Sequence, residues 1–332
     1  MRIKQFLIAI GVGTMLAACS SKEDEMSFSS TKEIRLTAQI SSSSTRAAND
    51  DTELQNTMFK NGEYVNVYIT KSSPLWEDVD EYSGPSLNNE TKNTGVSTAF
   101  PFRVTDGDLV STFMYRSYRF PESGSVNIHA FYPSTVKATS QTFTIETDQS
   151  TPEKYRKSDL MVAVKENVTH SDNAINLTFE HKLCKLVVKL VKGDESITDE
   201  ELASATIKYS GATKCNINIK GLNKASAEPF SFSIGNVIDA ELINLGTYNE
   251  NGNAAVVFPT SASYVLESEE FLYVYLNGIE HSVFATNNIP EFVSGNVYTV
   301  TVKVYKNAID IANTSIENWA PGTEIPEQEV HI

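Results

Sequence analysis

The residue types that do chemistry in proteins are present in this chain, but their spacing is not that of a catalytic or metal centre. Its five histidines, His129, His170, His181, His281 and His331, are scattered along the sequence. Zinc sites draw their ligands from short, defined intervals, and no HExxH or paired-ligand spacing occurs. His181 falls on the apolar phase of a strand-like run, where a hydrogen-bonded core histidine is the expected role. Acidic clusters at Glu23–Glu25, Glu77–Glu81 and Glu267–Glu270 lack the alternating oxygen ligands around a glycine turn that calcium requires. They read as solvated surface charge. There is no GxSxG nucleophile elbow, P-loop or dinucleotide glycine pattern. The expectation is a protein that is not an enzyme, with no cofactor and no metal. Cys184 and Cys215 both lie on inward phases, so they form either a disulfide or two buried thiols, and the sequence leaves both open. Trp76 and Tyr82 stand in a polar stretch, where they either stack on sugar rings or cover the edge of a core, and they are the candidate ligand contacts.

A third cysteine has a different setting. Basic Arg2 and Lys4 precede an apolar run from Phe6 to Ala18, which is the plan of an export signal. The run is too short for the roughly 30 Å hydrocarbon core of a bilayer. It ends in Leu16-Ala17-Ala18-Cys19, which resembles the bacterial lipobox. This predicts a lipoprotein signal peptide over residues 1–18 and cleavage before Cys19. The Cys19 sulfur then carries a diacylglycerol, with fatty acyl groups such as palmitate, and residues 19–32 form a lipidated linker. The expected location is the cell surface, on an outer-membrane lipid anchor. Ser20 to Glu25 look like an acidic surface-export tag or a plain linker. Loss of Arg2 and Lys4 with the signal takes the formal charge from −15 to −17. So anionic a body excludes nucleic acid as a partner, because phosphate binding relies on Lys and Arg. Only the acyl chains are expected to touch membrane.

The elements that would hold these residues are short and alternate with period two. Ile34, Leu36, Ala38 and Ile40 alternate with Glu33, Arg35, Thr37 and Gln39, which predicts a half-buried strand. Similar runs occur at 64–69, 126–132, 141–147, 160–164 and 175–190. In the second half they recur at 205–209, 215–219, 230–234, 254–258, 271–277 and 298–305. Clusters of Gly, Pro, Asn and Ser separate them, so the fold class is all-β, of sandwich type. Thr198 is the expected cap of a single helical turn beginning at Asp199, and nothing longer is expected to be helical. The apolar phase is odd from Leu177 to Leu183 and even from Cys184 to Leu190. One flat strand cannot bury both phases against one core, which places a domain boundary at 180/181. Residues 41–57 and 71–99 read as loops.

Several of these segments, in this order, resemble the fimbrillin-like lipoproteins of Bacteroidetes, the Mfa-like and FimA-like pilins. They are Gly62–Tyr68, Val126–Pro133, Ser158–Ala163, Leu177–Leu183, and Gly295–Val302 leading to Ile316–Trp319. The resemblance implies two tandem transthyretin-like β-sandwich domains, 33–180 and 181–332. It implies export as a lipidated precursor that is cut after an arginine, and Arg46, followed by Ala47, lies where that cut would fall. Removal of the Ile34–Ile40 strand then opens a groove for a strand from another pilin subunit, with main-chain hydrogen bonds giving affinity and side-chain pockets giving selectivity. A host or bacterial surface ligand, with glycan as the candidate, is the other partner implied. Residues 320–332 carry Pro321 and Pro326, with only Val330 and Ile332 as a late alternating pair. That favours a tip, anchor or non-polymerising role in the fimbria over a stalk role. The competing expectation is a non-polymerising surface lipoprotein that binds glycan around Trp76.

Overall fold

Period-two sequence becomes strand almost wherever a buried face is available. The computed structural model describes residues 33–41, 59–71, 100–112, 118–120, 124–222, 229–247, 252–259, 270–284, 291–305 and 308–319. The first strands are β1 (Leu36–Ile40), β2 (Tyr64–Lys71), β3 (Phe100–Thr105), β4 (Asp108–Ser111), β5 (Ser125–Tyr132) and β6 (Gln141–Thr144). Helix α1 (Pro152–Ser158) leads to β7 (Met161–Thr169), β8 (Ile175–His181) and β9 (Cys184–Lys192). After α2 (Asp199–Ser204) come β10 (Thr206–Lys220), β11 (Ser231–Asn244), β12 (Gly246–Thr247) and β13 (Asn253–Val257). The last four are β14 (Glu270–Leu276), β15 (Ile279–Phe284), β16 (Asn296–Tyr305) and β17 (Ala308–Asn318). The chain is therefore all-β.

Three sheets result. In the first half the hydrogen-bonded path β1-β4-β3-β2-β5-β7-β8 closes on itself as a barrel, where a pair of open sheets had been expected. The closure is made by β1, which is antiparallel to β4 and parallel to β8. In the second half one sheet runs β11-β10-β14-β15, with β6 also paired to β10, and the other runs β12-β13-β9-β16-β17. Side chains from both sheets enter one core, among them Leu186, Val188, Val257 and Val300 from one and Ile207, Cys215, Ile217 and Val274 from the other.

Burial on both faces explains why β2, β5 and β7 are apolar almost without interruption. Val65, Val67, Ile128, Ala130, Met161 and Ala163 point into the barrel. Tyr68, Phe131 and Val162 point the other way, into the second core. Those three strands are thus a wall shared by both cores. The change of apolar phase in the sequence coincides with a change of sheet: Ile175, Leu177 and Phe179 of β8 face the barrel interior, and Leu183, Cys184, Leu186 and Val188 belong to the second core.

Both helices are short. Thr198 caps α2 as expected, in a reciprocal capping box: its Oγ1 accepts from Glu201 N at 3.1 Å, and Glu201 Oε2 accepts from Thr198 N at 2.9 Å. Helix α1 corrects the expectation of a single helical turn. Its signals are the usual ones, with Thr151 as cap, Pro152 at the first position and Arg156 and Lys157 in the last turn.

Candidate functional site

The strand β1 has few neighbours of its own, yet it completes the barrel. Its two ladder pairs with β4 are Leu36 with Leu109 and Thr37 with Asp108. Against β8 it makes five pairs, from Leu36 with Ile175 to Ile40 with Phe179. Individual bonds fix the register: Ile175 N donates to Arg35 O, Ser41 N to Phe179 O and Ala38 N to Gly107 O, each at 2.8 Å. Upstream, Ile34 N donates to Tyr118 O at 2.7 Å. Gly107 lies in the β3–β4 turn at φ +87°, a conformation glycine adopts without strain. Past that turn, Gln39 and Ile40 are paired with β8 alone among the described residues.

Alternation along β1 decides which side chains fill the barrel. Ile34, Leu36 and Ile40 are only 5%, 4% and 4% exposed, and Ala38 packs beside them, half-buried. Phe59 also belongs to this core and stacks edge-on against Phe179, with ring centroids 4.9 Å apart. On the outer face the pairing is polar. Thr37 Oγ1 donates to Asn176 Oδ1 at 3.3 Å, Gln39 Nε2 donates to Thr178 Oγ1 at 3.0 Å, and the Arg35 guanidinium donates to the carbonyl of Asp172. Burying each of the three aliphatic side chains is worth about 1.5–3 kcal/mol. Without β1, backbone groups of β8 such as Ile175 N and Phe179 O would lose these partners, and unpaired backbone inside a fold is costly. A vacated seat is therefore an open edge with apolar pockets, the form of site that binds an added strand.

A second cluster lies where β8 ends. The Nδ1–H of His181 donates to Asp159 Oδ1 at 3.0 Å, with both side chains fully buried. The imidazole stacks on the Trp319 indole, with centroids 3.7 Å apart and planes 6° from parallel. Trp319 N donates to Gly295 O at 2.7 Å, and Gly295 N to Leu183 O at 2.8 Å. The end of β17 is thus held against the last residue of β8. His181 is a hydrogen-bonded core residue, as its apolar phase indicates. The sequence reading does not include its partners Asp159 and Trp319, although a carboxylate directly before the apolar run Leu160–Ala163 needs a donor if it is buried with that run.

The remaining candidates fall as follows. Cys184 and Cys215 are free and buried, the second of the two alternatives considered for them. The Cys184 thiol donates to Val293 O at 3.1 Å. Burial pushes the Cys184 thiol well above the usual range and the Cys215 thiol up to about 12, so neither is a nucleophile. His129 is buried against Phe230 and burial pushes it down to about 4. No group of three metal-ligating side chains occurs among the described residues. Cys19, Arg46, Ala47, Trp76 and Tyr82 lie outside the described residues, as does the 320–332 segment.

Comparison with known proteins fits this architecture. The fimbrillin-like family model matches residues 45–319. A Bacteroides uniformis protein described as a candidate fimbrium subunit, Fim1C, is 24% identical over 245 residues, which is 70% of this chain and 68% of that one. Two crystal structures described as candidate cell adhesion proteins share the fold. One, from Bacteroides uniformis ATCC 8492, has a TM-score of 0.56 at 17% identity and covers 87% of this chain and 98% of its own. The other, from Bacteroides ovatus ATCC 8483, has a TM-score of 0.55 at 15% identity, with coverage of 88% and 99%. With the family model spanning all but the two ends of the sequence, this chain belongs to the fimbrillin-like family.

Proposed function

We propose that this protein is a structural or adhesive subunit of a surface fimbria, held at the outer membrane by lipid on Cys19 until a protease cuts after Arg46. The cut separates β1 from the rest of the chain, and a strand from another subunit takes its place. The observation that carries this reading is the position of β1. It closes the barrel through two ladder pairs on one side and five on the other, with three buried aliphatic side chains as its hold. Membership of the fimbrillin-like family supports a structural role over a catalytic one. We read the chain as two β domains divided near 180/181, with β6 (Gln141–Thr144) reaching across to pair with β10 of the second, and the first domain receiving the partner strand.

An arginine-specific protease tests this reading. Treated precursor is expected to give one discrete cut after Arg46 and then to associate with partner subunits on size-exclusion chromatography. A precursor that resists the protease, or that stays monomeric with partner subunits after a clean cut, contradicts it. The anchor is checked separately: metabolic labelling with radioactive palmitate should mark the wild type and not Cys19→Ala.

A further inference from the structure

The seat of β1 has side-chain pockets at unequal depths. Ile34, Leu36 and Ile40 are almost wholly enclosed, while the inward position between the last two, Ala38, is half-buried. Numbered from Ile34, the deep seats are the first, third and seventh of seven residues, and the fifth is shallow. That order is not symmetric. A strand lying in the opposite direction would meet the deep seats at its first, fifth and seventh residues. The polar outer residues are paired rather than enclosed, Thr37 with Asn176 and Gln39 with Thr178, so they constrain the occupant less.

The ladder is asymmetric too. At Leu36 and Thr37 the occupant is clamped between β4 and β8, whereas at Gln39 and Ile40 it is paired, among the described residues, with β8 alone. Among the described residues, Leu36 is the inward residue with a ladder partner in both β4 and β8, so filling the third-residue seat should discriminate most strongly between candidate strands. A parallel pairing with β8 also fixes which backbone groups of the occupant meet Ile175 N and Phe179 O.

We propose that the partner segment replacing β1 is recognised by this spacing: an extended stretch parallel to β8, with bulky aliphatic side chains at the first, third and seventh of seven residues and a small residue tolerated at the fifth. This rests on the strand-replacement reading above and adds the chemistry of the occupant. An alternating apolar strand is not sufficient; the third position must be large.

The test uses the precursor cut in the 42–50 segment, at Arg46 or at a specific protease site introduced there, and two fluorescein-labelled peptides. The first has the sequence of residues 33–41, EIRLTAQIS. The second, EIRATLQIS, exchanges the residues of positions 36 and 38, which conserves composition, length and total apolar surface. Exchange into the cut protein is followed by fluorescence anisotropy and by co-elution on size-exclusion chromatography. The first peptide is expected to bind at least tenfold more tightly than the second. Equal binding of the two overturns the spacing rule while leaving strand replacement intact. Failure of both to bind, after mass spectrometry has confirmed that residues 33–41 have left, overturns strand replacement itself and the rule with it.

Discussion

The two outermost described strands of this chain are held in opposite ways. At one end β1 makes seven ladder pairs in all, two with β4 and five with β8, and with Ile34 just upstream it fills the barrel with three deeply buried side chains. At the other end β17 makes ten pairs with β16 and is fastened at its terminus by Trp319, stacked on a histidine that is itself bound to a buried aspartate. Each strand finishes a sheet. Of the two, β17 has the aromatic lock, and β1 leads into the stretch that contains Arg46. The difference sets two kinds of hold side by side: β17 is secured by long pairing and an aromatic stack, and β1 by a shorter ladder, polar bonds on its outer face and filled pockets, the weaker hold that the proposed replacement requires.

The largest expected effect breaks the permanent side. Trp319→Ala removes an indole that is 3% exposed and stacked on His181, at a cost of about 4 kcal/mol. Urea unfolding followed by circular dichroism checks this. Hydrogen exchange of the variant should speed up at the end of β17 and leave the β1 amides unchanged. Leu36→Ala does the converse. It empties the seat whose residue pairs with both β4 and β8, at a cost of about 3 kcal/mol. It should speed exchange at Ser41 N and Ile175 N, and leave β17 protected. A matched loss of protection at both ends in either variant would erase the distinction between them.

Acidification probes the wall the two cores share. His129 of β5 is buried, and burial lowers its affinity for protons from the ordinary 6.5 to about 4. Between those values the unfolded chain binds a proton at this residue and the folded chain does not. Stability from this group is therefore full above about pH 6.5 and falls as pH drops towards 4, by up to about 3 kcal/mol. Among the described residues, the charged group paired with His129 is the half-exposed Glu166 carboxylate, 3.8 Å from Nε2. Thermal unfolding across that range is expected to show the slope, and His129→Phe should flatten it. The smallest effect is local: Thr198→Ala removes the capping box of α2 and costs about 1 kcal/mol, with no change in exchange at β1 or β17.

What could be read in the sequence was local. Ile34 to Ile40 alternates cleanly, and the strand is there. Thr198 and Glu201 carry a cap in their spacing, and it forms. The change of phase around Leu183 marks where the chain passes from one sheet to another, because inward side chains cannot serve two cores from one flat strand. Elements whose pattern is interrupted were missed. In β17, Ile309 and Ile311 share one phase, Thr314 and Ile316 the other, and a bulge opposite Thr301 and Val302 reconciles them. β3 carries Pro101, which weakens its strand signal. The start of β11 is legible in the alternation of 230–234, but the rest of the strand is mostly half-buried or exposed and does not extend that pattern. β10 was read as two pieces because Ser210 to Thr213 break its apolar run, although its odd-numbered residues face one core throughout.

Long-range partners were out of reach for a different reason. That β1 lies parallel to β8, about 140 positions downstream, is set by closure of the barrel and leaves no mark in either segment. The same holds for Asp159, His181 and Trp319. Each type is visible in the sequence, but nothing in the spacing of 159, 181 and 319 says that they meet. The candidate seat was thus legible from its occupant, β1, and not from the β4 and β8 residues that line it.

Hydrogen exchange of β8, measured by mass spectrometry before and after cleavage in the 42–50 segment, tests the proposed strand replacement most directly. The account predicts that protection of the 175–181 amides collapses once residues 33–41 are removed and returns when the EIRLTAQIS peptide is added, while β9, β16 and β17 stay protected throughout. Unchanged protection of 175–181 after residues 33–41 have gone would contradict it.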